Sequence, residues 1–308
     1  MAVINTIASK SAGCGGGAIN TGDLGCDISF GLVIHALGFA KGIVISKNVE
    51  LTLPLIEALI QKGDIIPLMD AFSSEPTMSE DTLETSPLGV EALTLKGLPK
   101  YALTMKKGQE YYKQMAKLTG FGNINYVLGD VNGNWKFAID GNGDYTGFTA
   151  GQTLAAITTP ATATETEKKT FTFQLTDRTQ IDSTYAVIEA ANAFPISNIT
   201  GVNGLQFTFA DANGLVIPAA GDTTLKIKAV LSSDRITDIE GLVLADFNTS
   251  AGTISGVSDT GNGFYVLTVT ALTAGLLTVQ TKDATLGTDV ILNSNVLFKS
   301  SVLEVTLF

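Results

Sequence analysis

Few residues in this chain have the chemistry of a catalyst or a ligand. The single histidine, His35, is the one imidazole available to a Ser-His-Asp or Cys-His arrangement. It sits inside the apolar run Ile28–Ile45, where a satisfied, half-buried ring is expected. Cys14 and Cys26 with His35 do not complete a tetrahedral zinc shell without a carboxylate. They read as free thiols in a reducing compartment, with a disulfide or a metal site as the alternatives. Asp140–Gly151 (DGNGDYTGFTAG) places Asp140, Asn142 and Asp144 at alternate positions, as a calcium loop does. That loop also needs Gly at its sixth position and Glu at its twelfth, and here these are Tyr145 and Gly151. A turn between strands is therefore predicted. Asp140 and Asp144 as a glycosidase pair would want an aromatic sugar platform, but seven Tyr and one Trp are scattered along the chain. The Gly-rich run at 13–17 does not lie between a strand and a helix, where a phosphate cradle belongs. The chain is expected to have no catalytic residue, no cofactor and no metal.

The elements that surround these residues read mainly as strands. Leu98–Lys106 is a short β-type segment, and Gln109–Thr119 has helical character between Gly108 and Gly120. Asn125–Asp140 alternates on both sides of Asn132-Gly133, which predicts a hairpin. Phe171–Leu175 (FTFQL) closes this unit, which spans Lys96–Asp177. Leu51–Lys62 predicts a helix, with Leu55, Leu59 and Ile56, Ile60 at four-residue spacing, Thr52 as N-cap and Gly63 as stop. Ile28–Ile45 carries Ser29, His35, Lys41 and several glycines, so two strands with a turn near Gly38 are expected rather than a membrane span. Ile65–Phe72 reads as a strand. Ser73–Glu91 holds two prolines, many Ser and Thr, and only acidic charges, and reads as an extended loop reaching a neighbour.

Length and composition bound the rest. The 308 residues suit two domains, and 45% apolar with 16% charged residues suits surface hidden in contacts. The net charge of −11 disfavours a nucleic-acid binder, which neutralises phosphates with Lys and Arg. An acidic wall would instead let DNA slide past. Met1–Lys10 has no charged start followed by an apolar core, so no secretory leader is expected, and the Asn198-Ile199-Thr200 glycosylation pattern reads as chance. The predicted layout is an N-terminal arm at 1–25, a domain at 26–190, a linker at 191–204 and a second domain at 205–308. In that last domain, strand-like runs recur, among them Thr224–Leu231, Leu242–Phe247, Tyr265–Thr270 and Val302–Leu307. Asp259-x-Gly261-x-Gly263-x-Tyr265 resembles the tyrosine corner of immunoglobulin-like sandwiches, in which the hydroxyl ties back to upstream backbone.

The stretch from about 24 to 190 resembles the virion structural proteins of tailed bacteriophages, in particular the tail tube class found in crAss-like phages of Bacteroidetes-like hosts. The segments that carry the resemblance are CDISFG, ETSPLGVEALTLKGLPKYALTMKKGQEYYKQMAKLTGF, NYVLGDVNGNWKFAIDGNGDYTGFTAGQ and KKTFTFQLTDR. It covers just over half the chain. It implies a tube-forming β-sandwich or barrel-forming domain with one or two helices, followed by an immunoglobulin-like sandwich. It also implies homo-oligomeric, hexameric rings that stack, contact other virion proteins and pass DNA without specific binding, in a virion tail assembled in the host cytoplasm and away from membranes. The candidate subunit contacts are Glu75, Glu80, Asp81 and Glu84 in the acidic loop, and Asn132 and Gly133 at the hairpin. The alternatives are a head–tail connector or capsid decoration protein, and, from another class, an exported immunoglobulin-like adhesion protein.

Overall fold

The computed structural model describes residues 30–85, 91–95, 97–188, 199 and 201–308. The predicted arm at 1–25, both cysteines, Asn198 and most of the predicted linker lie outside them. In chain order the elements are β1 (Val33–Ala40), α1 (Leu53–Lys62), β2 (Ile65–Leu68), β3 (Ser73–Met78), β4 (Thr82–Thr85), β5 (Glu91–Leu95), β6 (Pro99–Met105) and α2 (Gln109–Ala116). There follow β7 (Gly120–Phe121), β8 (Ile124–Asp130), β9 (Trp135–Ile139), β10 (Tyr145–Thr146), β11 (Ala150–Ala155), β12 (Lys169–Leu175), α3 (Arg178–Asp182) and β13 (Tyr185–Ile188). The last stretch runs β14 (Asn203–Asp211), β15 (Gly214–Leu215), β16 (Thr224–Leu231), β17 (Phe247–Thr249), β18 (Ile254–Gly261), β19 (Phe264–Val269), β20 (Gly275–Thr281), β21 (Val290–Asn293), β22 (Val296–Ser300) and β23 (Leu303–Leu307). The fold is mainly β, as the alternating patterns require. The chain divides into two compact units, one running to Ile56 and resuming over Gly63–Ile199, the other made of Glu57–Lys62 and Thr200–Phe308.

The first unit contains two larger sheets. One has the order β10-β9-β8-β1-β2, with β13 also on β9, and the other has the order β3-β6-β12-β11-β7. They meet through aromatic rings. Tyr126 of β8 stacks on Phe173 of β12 at a centroid distance of 4.1 Å, and its hydroxyl bonds Thr153 Oγ1 of β11 at 3.0 Å. Leu103, Met105, Phe171 and Leu175 fill the same core, with Tyr112 and Met115 from α2. β12 shows why it is a strand: Lys169, Phe171, Phe173 and Leu175 are buried, and the residues between them are half-exposed. β1 is buried along most of its length on both faces.

Three expectations are corrected here. Ile28–Ile45 does not turn at Gly38. One strand runs through it, paired at Gly38 with Ile66 on one side and Tyr126 on the other; glycine there avoids Ile124, which a side chain would meet at 2.8 Å, and the chain turns instead at Lys41-Gly42, where Gly42 has φ +93°. The strand expected to reach Phe72 ends at Leu68, and Asp70 turns the chain with φ +57°. Ser73–Glu91 is not an unstructured loop. Ser73–Met78 is the edge strand β3, paired along β6, and β4 then pairs with β5 as a separate two-stranded ribbon.

The second unit is a two-sheet sandwich. A larger sheet, β18-β19-β16-β14-β22-β21 with β15 on β14, faces the smaller β17-β20-β23. Phe247 of β17 stacks on Phe207 of β14 at 5.6 Å and lies 5.6 Å from Tyr265 of β19, joining the sheets. Leu225, Ile227, Leu267, Leu277, Val279 and Ile291 complete the core. The strand expected over Leu242–Phe247 is replaced by a short 3-10 turn at Leu244–Asp246, because the Asp246 carboxylate accepts the Val243 amide at 2.7 Å and bends the chain.

Candidate functional site

The β12 sheet has two unlike faces. Residues paired across strands share a face, so one side is the aromatic core and the other follows from the register. The outward rows are Ser73–Thr104–Thr170, then Glu75–Ala102–Thr172–Leu154, then Thr77–Lys100–Gln174. All are half-buried or exposed. The Thr104 and Thr170 hydroxyls bond each other at 3.0 Å. A wet sheet face usually carries alternating Lys and Glu; the rows above carry hydroxyls, an amide, Ala102 and the exposed Leu154, with Glu75 and Lys100 as their charges. Over β3, β6 and β12 the face is a nearly neutral wall, and at the far edge the register sets Phe121 of β7 opposite Gln152 of β11.

The edges of the sheets are also specified. Pro76 sits in β3 opposite Tyr101, and Pro67 sits in β2 opposite Leu37. Both strands end their sheets, and proline is tolerated there because its missing N–H faces outward.

The β4–β5 ribbon springs from β3 and returns to β6. Its two legs touch at the base. A side chain on Gly97 would lie 1.9 Å from the Ser79 carbonyl, so only glycine fits. Asp81 Oδ1 accepts the Gly97 amide at 2.6 Å, and Ser79 Oγ accepts the Leu98 amide at 3.0 Å. Arg178, the first residue of α3, reaches this base. Its Nη1 donates to Asp81 Oδ1 at 3.2 Å and to the Gly97 carbonyl at 2.8 Å, while Nε donates to Asp182 Oδ2 at 2.6 Å. Asp182, then Asp81, raise the guanidinium pKa further above its ordinary value. Asp177 caps α3 by accepting the Thr179 and Gln180 amides, which fixes where Arg178 emerges.

Two turns share one design. In Asp130-Val-Asn-Gly-Asn134, the first carboxylate accepts the amides of Asn132 and Asn134 at 2.9 and 2.8 Å. In Asp140-Gly-Asn-Gly-Asp144, Asp140 accepts those of Asn142 and Asp144 at 2.8 and 2.9 Å. Gly133 and Gly143 both have φ +85°. Asp130 is fully buried and also accepts the Gly31 amide at 2.7 Å and Asn134 Nδ2 at 3.0 Å. Asp144 accepts the Lys47 amide at 2.9 Å. The backbone amides of Asp144 and Asn142 lower the Asp140 pKa. These carboxylates are thus engaged with backbone amides, of their own turns for Asp130 and Asp140 and of the segments flanking β1 for Asp130 and Asp144.

His35 is 7% exposed, and its Nδ1 accepts the Asp70 amide at 3.0 Å, which spends the lone pair a general base would need. Burial lowers its pKa, against the opposing pull of Asp70 and Asp130. An open groove of about 710 Å³ in the second unit is lined by Leu244, Phe247, Asn248, Thr253, Ile254 and Lys282 among others, and Lys282 is the one charged side chain among the described lining residues. Among the described residues no group of three His, Cys, Asp or Glu is placed to hold a metal. No helix among them is long and apolar enough to cross a membrane.

The candidate contact residues fall in different places. Glu75 lies on the outward face of β3, and Glu80 is exposed at the start of the ribbon. Asp81 is not a free acid but part of the ribbon base. Glu84 lies on β4, and its side chain is outside the described residues. Asn132 and Gly133 sit at the β8–β9 turn of the other sheet. Asp130 and Arg178 were not singled out by the sequence. The repeated Asp-x-Asn-Gly spacing marks the first, and the Arg178–Asp182 spacing of one helical turn marks the second. The sequence matches no protein-family model and no curated protein.

Proposed function

We propose that this chain is a structural subunit of a phage virion that self-assembles into stacked, hexameric rings of a tail tube, through which DNA passes unbound. The observation that carries this is the β12 sheet, with an aromatic core on one face and a nearly uncharged, hydroxyl-bearing wall on the other. Such a wall does not grip a polyanion with Lys and Arg. The self-paired ribbon beside it supplies a projecting element of the kind a stacked ring uses. The net charge of −11 also suits a conduit that must not retain DNA. In this assignment no residue is catalytic, the site of action is the virion tail, and the second unit is an immunoglobulin-like addition.

The test is direct. Purified protein examined by negative-stain microscopy and sedimentation velocity should show rings or tubes of constant diameter. A protein that stays monomeric at the highest concentration reached would overturn the proposal. One ring per virion, rather than many, would reassign it to a head–tail connector.

A further inference from the structure

Taking the ring-forming function above as given, we propose that Arg178 is a positioning residue: it fixes the direction in which the β4–β5 ribbon leaves the body, so that a second copy of the chain receives the ribbon already aimed. The ribbon pairs with no other strand among the described residues, so its own ladder does not set its angle. The angle is set where its legs meet. There Gly97 is in contact with the Ser79 carbonyl, and Asp81 bridges one leg to the other through the Gly97 amide. Arg178 then ties both legs to α3: to Asp81 on one and to the Gly97 carbonyl on the other. Asp182 holds the guanidinium from behind. A planar fork bonded on two edges resists rotation in a way a single amine does not. An arm held in its bound direction loses less conformational entropy when it docks.

The clamp and the docking are separable by experiment. In a background with Cys14→Ser and Cys26→Ser, spin labels at Thr85→Cys and Ile157→Cys report the distance from ribbon to body by pulsed electron resonance. This is done below the assembly concentration, and buried Trp135 fluorescence reports the fold. In the parent protein a narrow distribution is expected. Arg178→Ala should broaden it with the Trp135 signal unchanged, and should raise the concentration for half-assembly about tenfold. Asp81→Asn, which keeps an acceptor for Gly97 but loses the ion pair, should do the same to a lesser degree and carries the test if the alanine variant does not fold. An unchanged distribution in folded variants would overturn the clamp. A broadened distribution with unchanged assembly would overturn the aiming role. If the parent forms no rings, the ring function fails and the aiming role with it, while a narrow parent distribution that broadens on mutation still leaves the clamp standing.

Discussion

The hydroxyl of Tyr265 donates a 2.8 Å hydrogen bond to the carbonyl of Ile239, and accepts one from the Leu242 amide at 3.2 Å. The ring is buried against Phe247, and its pKa is pushed up to about 12, mainly by burial. Tyr265→Phe keeps the ring and removes both bonds, leaving a buried carbonyl and amide unpaired. The expected cost is about 1–3 kcal/mol. Hydrogen exchange should show it locally, as faster exchange at the Leu242 amide with protection along β14 and β16 unchanged.

Asp130 and Asp140 cap the same kind of turn in different surroundings. Asp130 is fully buried and satisfies four donors, three of them backbone amides. Asp130→Ala strands those amides and is expected to cost at least about 3 kcal/mol in denaturant unfolding followed by Trp135 fluorescence. Asp140→Ala at the exposed turn should leave the midpoint close to that of the parent. Equal losses at both sites would refute the role assigned to burial.

His35 makes stability depend on pH. Its folded pKa lies below the ordinary histidine value of 6.5, so the folded state favours the neutral ring. The groups facing it are Asp70, Asp130 and Lys107; the first two moderate the shift and the lysine adds to it. Stability is therefore full above about pH 6.5 and declines as pH falls through the folded pKa. His35→Asn, which can offer an oxygen near the Nδ1 position, should flatten this part of the curve of melting temperature against pH. An identical slope in parent and variant would exclude His35 as the cause.

Pro76 interrupts the outward side of β3. Pro76→Thr restores an N–H on an open edge whose outward partners are otherwise continuous. Irregular self-association is expected to rise, seen as a higher sedimentation heterogeneity at equal concentration. The same change at an exposed loop proline such as Pro160 should have no such effect.

Much of this was legible in residue patterns, wherever a local rule agreed with its tertiary setting. FTFQL alternates and β12 alternates; Asn132-Gly133 marks a hairpin and the chain turns there; the Gly-x-Tyr pattern at 263–265 places a hydroxyl that does tie back to Ile239. The misses have physical causes. Gly38 looked like a break but serves close approach to Ile124, which lies 86 positions further on and leaves no local trace. Ser73–Glu91 looked like a loop because an edge strand has one partner and tolerates proline, so its composition mimics a coil. Asp81 looked like a free acid because its partner, Arg178, is 97 residues away. β21 and β22 carry no local hairpin signal, because they turn on Ser294 and Asn295, both at positive φ without a glycine.

The paired turns have a consequence for how the chain is made. Gly31 and Lys47 flank β1, and they are fastened to Asp130 and Asp144, which lie 99 and 97 residues downstream. On a ribosome adding about 5–20 residues each second, β1 emerges roughly 5–20 s before either clasp exists. β2 can pair with β1 as soon as Leu68 is made, but the two ends of β1 are clasped only when the β8–β10 meander arrives. Until then its other edge has to be sheltered.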